Sequence, residues 1–153
     1  MNLKQITKKD QFDLKKLYFN SIFTIDKRIY SLEQKRAWAS QVWDNKNFEL
    51  CMNDGNGWLI NKEERVIAFA LRYPNNRIAL LYCAGDSQRK GYGTILIRKL
   101  EKEAKEEGLP FLLTEASLIS YKLFLRNKWK IIRKEKITIK NIIFDRYKMM
   151  KIF

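Results

Sequence analysis

The chain has 153 residues, 46% of them apolar, and carries a formal charge of +14 from 31 lysines and arginines against 17 acidic residues. That length supports one domain with a real core, covering residues 1–153, and excludes two comfortable ones. No apolar run approaches the roughly 18 residues of a membrane span, and "MNLKQITKKDQFDL" has no continuous apolar stretch of the signal-peptide kind. Cys51 and Cys83 are too far apart for a metal knuckle or a redox pair, so a reduced cytoplasmic protein without membrane association is expected. Histidine is absent, which removes the usual neutral-pH proton shuttle and the commonest metal ligand; no metal is expected.

The elements follow in chain order. A strand is expected at 3–6, then a helix capped by Thr7 and Asp10 with Phe12, Leu14, Leu17, Tyr18 and Ile22 along an apolar stripe. Ser31 and Gln34 form a capping box for a second helix carrying Leu32, Ala37, Trp38 and Val42. Strands at 57–61 and 66–72 flank the charged turn "KEER" as a hairpin. "RIALLYCA" (77–84) is apolar at consecutive positions, as a strand buried on both faces would be. A helix at 92–107 follows, with Leu96, Leu100 and Ala104 inward, Glu101 and Lys105 paired on the wet side, and Gly108 and Pro110 as its stop. A short buried strand (111–116), a helix (117–127) and a terminal hairpin (129–138, 142–151) complete the chain. Hairpins plus one strand–helix–strand crossover make the class α+β, around a mixed sheet.

Between strand and helix lies "GDSQRKGYG" (85–93). A helix beginning there leaves backbone N–H groups without intrahelical partners at the positive end of its dipole. Glycines let the main chain approach a bulky oxyanion, and Arg89 and Lys90 add charge beside it. The turn is neither a dinucleotide fingerprint nor a P-loop, because a third glycine and a G-K-[ST] end are missing. Taken alone it fits an anion site or a bare strand-to-helix turn.

"QRKGYG" (88–93) resembles the Q/R-x-x-G-x-G/A signature of the GNAT N-acetyltransferase superfamily. The preceding "ALLYCAG", the following "FLLTEASLISYKLFLRNKWKII", the terminal "DRYKMMK" and "YSLEQKRAWA" extend the likeness over nearly the whole chain. The resemblance implies a mostly antiparallel sheet of six or seven strands, about four helices and a splayed central strand pair. It implies acetyl-CoA as the cofactor. Its pyrophosphate would lie on the amides of Gln88, Arg89, Lys90, Gly91, Tyr92 and Gly93 and on Thr94, and its pantetheine arm along Leu81, Tyr82 and Cys83. Ser117 and Phe124 fall at further cofactor-contacting positions. The expected reaction is transfer of the acetyl group to a primary amine of a small molecule or peptide, in a monomer or homodimer.

Such transfer needs a neutral nucleophile, a polarised thioester carbonyl and a proton for the leaving thiolate. The backbone N–H near Tyr82 suits the carbonyl, and Glu115 suits removal of the amine proton. Phe124 occupies the family's tyrosine position and cannot donate; Tyr121, one helical turn earlier, is the substitute. Lys128 stands where a glycine is usual and Trp129 on the aromatic. Cys83, with no histidine to activate it, is a small packing residue, Trp38 and Trp129 pack in the core, and Tyr92 lies at the surface. Two other functions remain open at this point. A CoA-binding regulator without turnover fits Phe124. A nucleic-acid-linked acceptor such as an aminoacyl-tRNA fits residues 116–153, where 11 basic residues face 2 acidic ones.

Overall fold

The computed structural model describes residues 1–153. Seven strands form one sheet: β1 (Asn2–Gln5), β2 (Asn56–Lys62), β3 (Arg65–Arg72), β4 (Arg77–Cys83), β5 (Phe111–Ala116), β6 (Lys130–Ile139) and β7 (Ile142–Ile152). They lie in the order β1-β2-β3-β4-β5-β7-β6, and only β4 and β5 run parallel. Helices α1 (Gln11–Phe23), α2 (Leu32–Ala39), α3 (Gln41–Asp44) and α4 (Lys46–Asp54) precede β2. Helix α5 (Tyr92–Glu106) links β4 to β5, and α6 (Tyr121–Arg126) follows β5.

Successive strand residues face opposite sides of a sheet, and that alternation sorts the core into two halves. Phe69, Leu71 and Leu80 pack with Leu14, Leu17 and Tyr18 of α1 and Phe48 and Met52 of α4. Ala68, Ala70 and Ile78 pack on the other face with Leu96, Ile97 and Leu100 of α5 and with Phe124 and Trp129. We call these the α1 face and the α5 face.

Local chemistry sets most boundaries. Ser31 Oγ accepts from the Gln34 backbone N–H at 3.1 Å, while Gln34 Oε1 accepts from the Ser31 backbone N–H at 2.9 Å, which is the capping box expected. Glu63 and Glu64 take left-handed angles in the β2–β3 turn. Three expectations need correction. The second helix stops at Ala39, so Val42 belongs to α3. Residues 46–54, unassigned from sequence, form α4, capped by the Asn45 side chain on the amides of Asn47 and Phe48. Glu101 is buried rather than wet: it accepts from Trp129 Nε1 at 2.8 Å and from Lys151 Nζ at 3.0 Å. The carboxylate is drawn inward because the indole N–H and the ammonium both need an acceptor there.

Arg72, with its side chain wholly buried, anchors the C-terminal end of α5 to β3 through Glu107 at 2.5 Å. The Arg72 hydrogen bonds hold the Glu107 carboxyl below its ordinary 4.5. A depressed acid stabilises the fold above its unfolded value and loses that contribution as pH falls through the folded one. Thermal melts below about pH 4.5 should therefore fall less steeply for Glu107→Gln than for the parent.

The sheet is not continuous across its middle. β4 and β5 pair only at Arg77 with Leu113 and Ile78 with Thr114, and the buried Thr114 hydroxyl donates to the Ile78 carbonyl at 2.8 Å. Thr114→Val keeps the shape and leaves that carbonyl without its partner, so it should cost about 1–3 kcal/mol in urea unfolding with an unchanged slope.

Candidate active site

Beyond Ile78 and Thr114 the two central strands part. The Ala84 amide donates to Ile67 at 2.8 Å. Alternation along this antiparallel ladder therefore turns the peptide groups of Leu80 and Tyr82 towards β3 and those of Leu81 and Cys83 towards the gap. The register shifts between Leu71 and Arg72, opposite Leu80 and Ile78, so Ala79 is the extra residue of a bulge at the narrow end of the opening. An extended ligand bearing amides has a free strand edge to pair with there.

At the wide end sits the glycine turn. Gly91 caps α5 at φ +87°, a left-handed angle that glycine adopts without a Cβ clash. The first bond of the helix runs from the Ile95 amide to the Gly91 carbonyl, and the amides of residues 88–94 have no protein acceptor. Gln88, Arg89, Lys90 and Gly91 are exposed, so these amides open to solvent beside two cations. This is a ready anion site. Gly93 serves packing instead. A Cβ there would meet Leu123 Cδ2 at 2.5 Å, so its absence lets α6 approach α5.

On the α1 face an aromatic row crosses the gap. Tyr82 stands 6.2 Å from Trp38, Trp38 stands 5.2 Å from Tyr30, and Tyr30 stands 6.1 Å from Phe144 of β7. Tyr82 Oη accepts from Trp38 Nε1 at 3.2 Å, and Tyr30 Oη accepts from the Leu118 amide at 2.9 Å. Burial raises both phenols above their ordinary value. Tyr30 thereby straps the loop before α2 to the end of β5. Its role was not readable from the sequence, because Tyr30 follows the turn at 27–29 and its partner amide lies 88 positions later.

The remaining expected residues are spread over both faces. Glu115 faces the α1 side at the first β5 position beyond the last β4–β5 rung, with Arg77 Nε 2.7 Å from its Oε2. Arg77 opens an otherwise apolar strand, but its partner lies 38 positions later, so the bridge is not written in either segment. Tyr121 stacks on Tyr147 of β7 at 4.4 Å on the α5 face. Phe124 is 1% exposed and packs edge-on against Trp129 at 4.9 Å. Ser117 exchanges hydrogen bonds with Ser120 at the start of α6. Thr94 is joined to α6 by Asn127 at 3.4 Å. Tyr92 is half-buried and packs against the α5-face core, not free at the surface, because α5 begins with its side chain turned to the sheet. Trp38 is likewise only half-buried, since it forms part of the row over the gap. Lys128 takes the glycine-like φ of +71° at the position where glycine is usual.

Residues 19–127 match the model of the acetyltransferase (GNAT) family. The chain belongs to that family. No curated protein matches its sequence. Among solved structures, a GCN5-related N-acetyltransferase from Rhodopseudomonas palustris is 24% identical, with 99% of this chain and 95% of that one covered at a TM-score of 0.91. A PaiA N-acetyltransferase from Thermoplasma acidophilum, in complex with coenzyme A, is 17% identical over all of both chains at 0.75. YncA from Salmonella typhimurium, a putative acetyltransferase with its cofactor acetyl-CoA, is 14% identical over 99% and 93% at 0.67. These likenesses show that the chain has the GNAT fold.

In this GNAT chain Cys83 lies on the edge of the gap, its thiol donating to the Ser87 carbonyl at 3.3 Å. Burial, with the nearby Asp86 charge, pushes that thiol up to about 11. Only the thiolate alkylates readily, so iodoacetamide labelling of Cys83 should be slow at neutral pH and rise towards pH of about 11. Fast labelling at neutral pH, read by mass spectrometry, contradicts this.

Proposed function

We propose that this GNAT protein is an acetyl-CoA-dependent N-acetyltransferase, and that a primary amine attacks the thioester directly while both substrates are bound. The observation that carries the reading is the run of amides at residues 88–94 without a protein acceptor at the start of α5, those of residues 88–91 on exposed positions that include Arg89 and Lys90. A diphosphate would be held by these amides and by Thr94. The gap-facing peptide groups of Leu81 and Cys83 would pair with the amides of the pantetheine arm, with Ser117 bordering it from the β5 side; Phe124, expected at a cofactor-contacting position, is instead enclosed against Trp129. No group of three His, Cys, Asp or Glu side chains that could hold a metal ion occurs in the structure, and the proposed chemistry uses none.

In the transfer, the amine nitrogen forms a bond to the acetyl carbon and the carbon–sulfur bond breaks. A backbone N–H near Tyr82 polarises the carbonyl as negative charge gathers on its oxygen. Glu115, held in place by Arg77, takes the proton that the amine gives up, directly or through water. The departing thiolate takes a proton from the phenol of Tyr121, at the N-terminal end of α6. Phe124, enclosed in the core at the family's tyrosine position, favours a second reading in which the protein binds CoA and turns nothing over.

Calorimetry with CoA and acetyl-CoA tests the binding half. Both should bind, and Gly91→Glu should abolish binding by placing a carboxylate and a strained backbone among the amides. No binding at millimolar ligand, about −4 kcal/mol, removes the reading. Steady release of free thiol with a panel of amines tests the chemical half. Tyr121→Phe should lower that release by roughly 10²-fold or more, whereas binding without release assigns the second reading.

A further inference from the structure

On the α1 face, next to the gap, the strands present a set of charges whose pairing is uneven. Glu115 is bound by Arg77 at 2.7 Å. Glu135 of β6 is bound by Arg146 at 2.6 Å and by Arg133 at 3.2 Å. Both carboxylates that β5, β6 and β7 offer here are therefore occupied. Lys148 stands between them, directly opposite Glu115 on one side and Arg133 on the other. Its neighbours in sequence, Tyr147 and Met149, pack on the α5 face, so alternation fixes Lys148 on the α1 face with Glu115. It is half-exposed, and no carboxylate or other acceptor meets its ammonium.

We propose that the acetyl acceptor is an amine that carries a carboxylate, with its amino group at Glu115 and its carboxylate on Lys148. This rests on the acetyl-transfer reading and names its substrate class. Residues directly opposite on antiparallel strands lie about 4.5–5.5 Å apart between Cα atoms, so amine and carboxylate are separated by a few bonds. A short acidic residue at a peptide N-terminus has that span. The same face works against a polyamine. Four cations, Arg77, Arg133, Arg146 and Lys148, surround two carboxylates that are already taken, and the aromatic row of Tyr82, Trp38, Tyr30 and Phe144 supplies no counter-charge. A second ammonium would be left facing like charge, a repulsive element that selects between acceptors.

The test compares the amidated dipeptides Glu-Ala and Gln-Ala, which differ by one charge at equal shape, with spermidine as the cationic arm. Thiol release should give the acidic dipeptide a kcat/KM at least about tenfold above the neutral one, the scale of a charge-assisted contact. Lys148→Met should remove that advantage through KM with kcat retained, and Lys148→Glu should turn the preference towards spermidine. CoA affinity, measured by calorimetry, should be the same in all three proteins. A parent that prefers Gln-Ala or spermidine, or a Lys148→Met variant with an unchanged acidic-to-neutral ratio, overturns the proposal. Where no dipeptide is acetylated, equilibrium dialysis against CoA-saturated protein decides: Glu-Ala must bind more tightly than Gln-Ala and lose that margin in Lys148→Met, and failure of either overturns it. Loss of CoA binding itself would instead strike the acetyl-transfer reading.

Discussion

Everything in the site depends on two strands that stop pairing. β4 and β5 make two rungs and then diverge, which leaves the Leu81 and Cys83 peptide groups facing an opening instead of a neighbour. A buried polar group without a partner costs about 1–3 kcal/mol, so the divergence persists only because other contacts hold it. The Thr114 hydroxyl on the Ile78 carbonyl fixes the narrow end. The Tyr30 phenol on the Leu118 amide ties the loop before α2 to the end of β5. Trp38, between Tyr82 on β4 and Phe144 on β7, spans the gap with aromatic surface rather than hydrogen bonds. The opening is thus propped from one face and clasped at one end, and it stays accessible to a ligand that brings its own amides.

The two faces of the sheet divide the work. On the α5 side, the helix start offers exposed N–H groups to an anion, and the Glu101 carboxylate locks Trp129 and Lys151 beneath α5. The two glycines of the turn are not equivalent. Gly91 supplies a backbone angle, while Gly93 supplies the space that Leu123 of α6 fills. On the α1 side the side chains are aromatic near β4 and charged near β7. In the proposed reaction a donor and an acceptor would then approach the same gap from opposite faces without competing for the same groups.

Much of this was legible in the chain, and what was not has identifiable causes. The strand at 111–116, the Ser31 box and the α5 start were readable because apolar spacing and cap chemistry are local. α4 was not, since its Asn45 cap lies in a polar stretch whose helix is stabilised by Phe48, Cys51 and Met52 packing on distant β strands. Glu101 read as a surface partner of Lys105 because the indole N–H that captures it comes from a residue 28 positions later. The family resemblance located the turn and the strand pair, but the Arg77–Glu115 bridge and the Tyr30 strap join elements far apart in sequence, and no local pattern encodes them. Lys128 shows the converse: its φ of +71° keeps a glycine-type turn although the residue is not glycine.

The absence of histidine constrains the chemistry further. An attacking amine must be neutral, and a lysine-type ammonium, at about 10.4, holds its proton firmly at pH 7. Reaching the neutral form at pH 7 costs about 5 kcal/mol before any barrier is crossed. A peptide α-amino group, at about 7.7–8.0, is already neutral in roughly one molecule in ten at pH 7. In the proposed reaction Glu115 would then have only to accept the proton released as the nitrogen bonds to carbon, when that nitrogen has become far more acidic. The proposed reading, with an arginine-paired carboxylate as the base, therefore favours amines of low basicity. On the same proposal the Lys148 ammonium would meet the carboxylate such an acceptor brings, so that facing side chains of β5 and β7 would answer both to the acid–base demand and to the charge of the substrate.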